Sequence, residues 1–348
     1  MSFTPIMANK DKSLNILAIR FSSIGDVAMT VPVIDSFARQ YPQHRITFMS
    51  NPRFASFFRG MPENFTFLGA DVKQKYKGPS GLKLLVAELS AFRYDMVLDL
   101  HSVIRTQYIR TGLLFHGSRF FSVGKDKLGR WAATRRFLKR HTPLASAFER
   151  YLKVFEKAGL PVTLDFNSIF RDAPGAILEK TGSKHGQWVG IAPFAAHVSK
   201  IYPMDLMEKV IEGLEADDRC SRVFVFAYGK DLAPIMHWQN RFRKLTFVHG
   251  QITMDQELEL MFWLDVMLSM DSSNMHMASL AGTRVVSVWG ATHPVAGFLG
   301  YRQKLEDCIQ IDMNCRPCSA FGKKPCRYGN CPCLTGISPD RILRSLLS

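Results

Sequence analysis

An α/β fold with two doubly wound, Rossmann-like domains is predicted by three observations. Short β-branched runs alternate with amphipathic stretches along almost the whole chain, the pattern stops and restarts once, and 348 residues are comfortable for two domains. No solenoid repeat or low-complexity tract interrupts this alternation.

In the first half, strands are predicted at Leu14–Phe21, Arg45–Ser50, Asp95–Leu100 and Arg119–Val123. Helices are predicted up to Gln40, around Arg53–Gly60, over Gly81–Arg93, and after the strand that ends at Leu100. A helix over Ala145–Ala158 aligns Leu144, Phe148, Leu152 and Phe155, and Gly159-Leu160-Pro161 ends it.

A polar segment from about Asp172 to Gly186 separates the halves. The second run predicts strands at Trp188–Pro193, Arg222–Ala227, Leu245–Val248, Val266–Met270 and Arg284–Trp289. Helices are predicted over Pro203–Glu215, Asp231–Phe242, Asp255–Trp263 and Asn274–Ala281. Ser338-Pro339-Asp340 starts a last helix: an N-cap serine followed by proline at the first helical position. The predicted domains are 1–172 and 173–336, the latter with a Cys-rich tail, followed by a C-terminal helix over 337–348.

The net charge of +15 is unevenly placed. Residues 1–172 hold 26 Lys and Arg against 13 Asp and Glu, whereas the remainder holds 19 against 17. Between Arg105 and Arg140 ten basic residues face only Asp126. Such a field attracts polyanions: nucleic acid, an anionic membrane face or a phosphorylated substrate. No helix-turn-helix or RNP-like pattern accompanies it, so nucleic acid is not the expected partner. No run approaches the about 18 apolar residues of a membrane span, and the N-terminus lacks the apolar core of a secretory signal, so a cytoplasmic protein is expected.

Ligands of doubly wound sheets bind beyond the carboxyl ends of the strands. The first such loop is Phe21-Ser22-Ser23-Ile24-Gly25-Asp26. Asp26 either caps the following helix or, if the helix opens near Thr30 with Pro32 in its first turn, stays free in the loop. One glycine here, rather than Gly-x-Gly-x-x-Gly, argues against a dinucleotide-binding epimerase. Lys200 follows the strand Trp188–Pro193, and Asp271, Ser272, Ser273 and His276 follow Val266–Met270, where a helix N-terminus favours phosphate.

Ile16 to Val27 with Thr30 and Pro32 resembles the opening motif of the lipopolysaccharide heptosyltransferase family. Tyr94 to His101, Glu149-Arg150-Tyr151-Leu152, Asp271 to Ala278, and Val288 to Pro294 resemble further family segments in the same order. The resemblance implies a GT-B fold, in which the two domains face a central cleft. It implies an inverting, metal-independent transfer of heptose from ADP-heptose to a lipopolysaccharide core (Kdo/lipid A-type) or related envelope acceptor, with no cofactor required. Asp26 is then the general base, taking the proton of the attacking hydroxyl. The N-terminal domain holds the acceptor. The C-terminal domain holds the donor through Lys200, Asp271, Ser272, Ser273, His276 and, near the nucleoside, Asp231.

For an anionic glycolipid acceptor the expected partners are Arg105, Arg130, Arg135, Arg136 and Arg140, with peripheral contact at the cytoplasmic face of the inner membrane. Ala195-Ala196 stand where the family often has Thr-Thr, and Ser273 replaces a usual glycine, so another nucleotide sugar on the same fold is the alternative donor. A non-catalytic polyanion-binding relative is a further alternative, against which Asp26, Lys200 and His276 argue.

Five of the seven cysteines lie between Cys315 and Cys333. Cys315, Cys318, Cys326 and Cys331 resemble the ligands of a small structural zinc knuckle, although the terminal Cys-x-Cys is atypical.

Overall fold

The computed structural model describes residues 13–124, 129, 134, 144–227 and 232–348. The described residues divide into two compact units, one built from 13–124 with 147–169, the other from the described residues of 126–146 and 170–348. The segment 144–146 therefore clusters with the second unit although it precedes the predicted boundary at 172.

The first unit carries a five-stranded sheet of β1 (Asn15–Ile19), β2 (Arg45–Ser50), β3 (Phe65–Gly69), β4 (Met96–Asp99) and β5 (Arg119–Ser122). Its order is β3-β2-β1-β4-β5 and each pairing is parallel, with Leu17 opposite Thr47 and Val97. β1 is apolar at every position but its first because helices cover both faces of a parallel sheet. Leu17 and Ile19 on one face join a core with Leu85 and Leu89 of α3 (Gly78–Ser90) and Ile109 and Leu113 of α4 (Ile104–Leu114). Ile16 and Ala18 on the other face are equally buried. Phe37 of α2 (Val31–Gln40) meets Phe155 of α5 (Ala147–Lys157) with ring centroids 5.0 Å apart. A fully buried side chain of this size contributes about 1.5–3 kcal/mol.

The second unit repeats the plan with six parallel strands. They are β6 (Gln187–Ala192), β7 (Cys220–Val225), β8 (Leu245–Phe247), β9 (Val266–Met270), β10 (Arg284–Val288) and β11 (Cys308–Ile309), in the order β11-β10-β9-β6-β7-β8. Renumbered within the unit, this is the 3-2-1-4-5-6 order of dinucleotide-binding folds. Val189, Ile191, Leu268 and Val286 pack with Met207, Val210 and Leu214 of α7 (Met204–Ala216). The helix predicted as a segment of its own, α12 (Pro339–Leu346), buries Ile342 and Leu346 in this same core. Gly213 lets it approach, since a Cβ there would lie 2.3 Å from Leu343 Cδ1.

Differences from the predicted elements have local causes. The helix predicted around Arg53–Gly60 is a 3-10 helix over Pro52–Phe58. Asp231–Phe242 is not one helix: the described part is a 3-10 turn, Ala233–Ile235, and a short α8 (Trp238–Arg241). Pro234 lacks an N–H and its ring clashes with the preceding turn, which favours the break. β3 and α6 (Ala176–Thr181) were not predicted; neither carries the long apolar period that marks the others.

Candidate functional site

In each sheet the strand order reverses between two central strands, and a crevice opens beyond their carboxyl ends. In the first unit those strands are β1 and β4; in the second they are β6 and β9. Asp26 follows β1 and His101 follows β4, whereas Lys200 follows β6 and Asp271 follows β9. The topology thus sets three predicted site residues, Asp26, Lys200 and Asp271, together with His101, at the two switch points.

Asp26 is not in an open loop. It is the third residue of a one-turn helix, α1 (Ile24–Ala28), while the second helix opens at Val31 with Pro32 in its first turn. The Ser23 N–H and Oγ donate to Asp26 Oδ2 at 3.1 and 2.8 Å, so the carboxylate does cap the helix. Arg20 Nη2 reaches the same oxygen at 2.9 Å. Three contacts therefore converge on Oδ2 and none of them uses Oδ1. The side chain is 27% exposed, open enough to meet a substrate. Burial works to raise the Asp26 pKa, but the Arg20 charge and the Ser23 hydrogen bonds outweigh it and hold the carboxyl below its ordinary value.

Arg20 was not among the predicted site residues. Its signal was a charged residue at the end of an apolar run. It is buried, donates to the Leu100 carbonyl, and lies 5.6 Å from the centre of the Tyr151 ring. Asp99 was also missed. Fully buried at the end of β4, it accepts from the His101 and Ser102 N–H groups at 3.0 and 2.7 Å and from Thr106 Oγ1 at 2.9 Å. It shapes the loop that carries His101, whose Nε2 lies 3.5 Å from Ser22 Oγ.

In the second unit the structure brings two predicted residues together. Lys200 Nζ lies 2.8 Å from Asp271 Oδ2 and 3.1 Å from the Asp271 carbonyl oxygen. Thr292 Oγ1 donates to Asp271 Oδ2 at 2.7 Å. Asp271 thus orients Lys200, and one of the three ammonium N–H groups remains for a ligand. Ser272 is the N-cap of α10 (Ser273–Ala281) and Ser273 its first residue; His276 is buried one turn in. The N-terminal N–H groups of α10 lie beside the lysine's partner, Asp271, which directly precedes the N-cap.

The Cys-rich segment braces this loop. Ser199 Oγ donates to the Gly322 carbonyl at 2.7 Å. Gly322 (φ +77°) leaves room for the lysine stem, since a Cβ would lie 2.8 Å from Lys200 Cε. Buried Arg316 donates to the carbonyls of Gly290 at 2.6 Å and Thr292 at 2.9 Å. Arg316, Gly322 and Thr292 were invisible as site residues because their roles are contacts between distant segments.

Arg105 lies exposed on α4. Arg130, Arg135, Arg136 and Arg140, and Asp231, lie outside the described residues. The cysteines predicted as zinc ligands are free thiols, and among the described residues no three His, Cys, Asp or Glu side chains gather as a metal site. Cys315 and Cys318 line a cavity of about 220 Å³ with Lys324 and Arg327. Cys331 instead hydrogen-bonds Cys326, and burial pushes its thiol up to about 11. The Cys333 thiol interacts electrostatically with Cys315, Cys318 and Cys326, so these cysteines share one neighbourhood.

The sequence profile of glycosyltransferase family 9 (heptosyltransferase) matches residues 83–330. The chain belongs to glycosyltransferase family 9. It is similar to the lipopolysaccharide core heptosyltransferase OpsX of Haemophilus influenzae, 23% identical over 84% of this chain and 82% of that one. Two solved folds cover nearly all of it at 18% identity. One is a family 9 glycosyl transferase of Veillonella parvula (TM-score 0.71; 95% of this chain, 96% of that one). The other is the ADP-heptose LPS heptosyltransferase II of E. coli (TM-score 0.70; 96% and 98%). The family 9 chain is a glycosyltransferase with the GT-B fold of these structures, and the two parallel sheets are its two halves.

Proposed function

We propose that this family 9 chain transfers heptose from ADP-heptose to a lipopolysaccharide core acceptor, with inversion and with Asp26 as general base. The observation that carries the reading is the one-sided Asp26 carboxylate. Arg20 and Ser23 hold Oδ2 and keep the group ionised, leaving Oδ1 to accept the proton of an acceptor hydroxyl. As that oxygen bonds to the anomeric carbon, the bond from carbon to the diphosphate oxygen breaks and negative charge passes to ADP. In this reading Lys200 and the N-terminus of α10, with Ser272 and Ser273, receive that charge, which the cationic Lys200 beside Asp271 and the helix N–H groups support. The names of the relatives support the donor and acceptor: one is a lipopolysaccharide core enzyme and one uses ADP-heptose.

The reaction as proposed takes no step through a metal or cofactor. In this reading the acceptor is an anionic glycolipid, and the excess of basic residues in the first half of the chain supports contact with a membrane face. Ala195-Ala196, in the loop before Lys200, lack hydroxyls for phosphate and favour a second reading, another nucleotide sugar on the same machinery. Calorimetry with ADP, UDP and GDP, without added metal, separates the two. Selective ADP binding lost in Lys200→Ala supports ADP-heptose; preference for UDP or GDP overturns that donor.

A further inference from the structure

α4 is apolar on two opposite faces. Thr106, Ile109 and Leu113 are buried toward the sheet and α3. Ile104, Tyr108, Thr111 and Phe115 recur at helical spacing on the other side, and Phe115 continues the helical course as the C-cap. Ile104 is 86% exposed, Phe115 84% and Tyr108 43%, with Leu114 at 45% on the flank. Single exposed apolar residues need no explanation, but an aligned stripe over three turns does.

The surroundings choose the occupant. From Leu100 to Lys125 the sequence holds four Lys and Arg and no Asp or Glu. Arg105 on α4 and Arg119 at the start of β5 are exposed, and the basic run of the sequence continues to Arg140. A second copy docked by a two-fold axis would set this basic surface against itself, which like charges oppose. Nucleic acid would use the charge but not the isoleucine and phenylalanine. A surface that is apolar below and anionic at its headgroups satisfies both.

We infer that the outer face of α4 is the element by which this protein docks on an anionic lipid bilayer. Ile104, Tyr108 and Phe115 enter the boundary between headgroups and acyl chains while the flanking arginines meet phosphates. The stripe starts at Ile104, directly after the His101–Val103 loop at the switch point of the first unit. Docking therefore brings the crevice beside Asp26 to the membrane surface. The inference rests on the reading that the acceptor is a glycolipid, and it assigns the surface that meets its membrane.

The test is co-sedimentation of the full chain with phosphatidylethanolamine–phosphatidylglycerol vesicles and with phosphatidylcholine vesicles. Wild type is expected to bind the anionic vesicles selectively and to be released by salt. Ile104→Ser/Phe115→Ser, at exposed positions that leave the core intact, is expected to bind about tenfold more weakly or worse. Arg119→Glu is expected to weaken binding and reduce its salt sensitivity. Failure of wild type to sediment with anionic vesicles, or equal binding by the double variant, overturns the proposal. So does a wild-type dimer that the double variant dissociates in sedimentation velocity, which would make the face a contact between copies. Transfer to a deacylated, water-soluble acceptor is expected to be unchanged in the double variant. Absence of that transfer in wild type would sink the heptosyltransferase reading while leaving the vesicle result to judge docking separately.

Discussion

Arg20 Nη2 lies 2.9 Å from Asp26 Oδ2, so the acid proposed as the base is held on one oxygen by a buried cation. Arg20→Met should therefore raise the Asp26 pKa, and the acid limb of the kcat/KM profile should move to higher pH. An unmoved limb would remove Arg20 from the mechanism. The same pair has a stability sign. A folded pKa below the ordinary 3.8 gives stability that is present above that value and lost as pH falls through the folded one.

Asp26→Ala should lower transfer by about a hundredfold or more, with ADP binding near wild type. Single-turnover kinetics and calorimetry together check this. An active Asp26→Ala enzyme would end its assignment as base.

Lys200→Ala leaves Asp271 buried with Thr292 as its remaining described partner. Breaking a buried pair costs about 3–5 kcal/mol, so both thermal stability and ADP affinity should fall. Thr292→Val tests the other side of Asp271: Lys200 stays, but its carboxylate partner is less fixed, so ADP affinity should fall less. Wild-type ADP affinity in Lys200→Ala would contradict the donor assignment.

Gly322→Ala probes the brace. Its φ of +77° strains any Cβ, and the added methyl would lie 2.8 Å from Lys200 Cε. ADP binding should weaken although position 322 makes none of the proposed ligand contacts, and unchanged affinity would show that the lysine adjusts freely.

Glu257 is buried in α9 (Met254–Trp263), with Oε2 unbonded among the described residues, and burial pushes its carboxyl up to about 8. Between the ordinary value of 4.5 and about 8 the folded chain keeps a proton that the unfolded chain has released. Stability should thus fall as pH rises across that window, by on the order of a few kcal/mol. Glu257→Gln should flatten the dependence in denaturant titrations run at several pH values; a wild-type slope in the variant would contradict it.

Periodicity made most elements legible. β2 and β9 have their predicted bounds, and α2 ends at the predicted Gln40, because apolar spacing and turn residues are local signals. Asp26 shows where local signals stop. The loop offered a cap or a free carboxylate, and the structure gives a cap that still presents one oxygen, a result that needed Arg20 brought in from the strand. The cysteines expected as zinc ligands form no group of three His, Cys, Asp or Glu among the described residues. Spacing places cysteines near one another along the chain, and the fold turns Cys333 into the core with Cys315, Cys318 and Cys326 in electrostatic reach.

The sequence by itself determined the α/β class, the two-fold repetition, the family motifs and the basic first half, all properties of residue order and type. Only the tertiary structure decided that Lys200 pairs with Asp271, that Arg316 and Gly322 brace that pair, and that α4 turns an apolar stripe outward. Those facts join residues far apart in sequence or distinguish an inner face from an outer one, and packing rather than periodicity sets both.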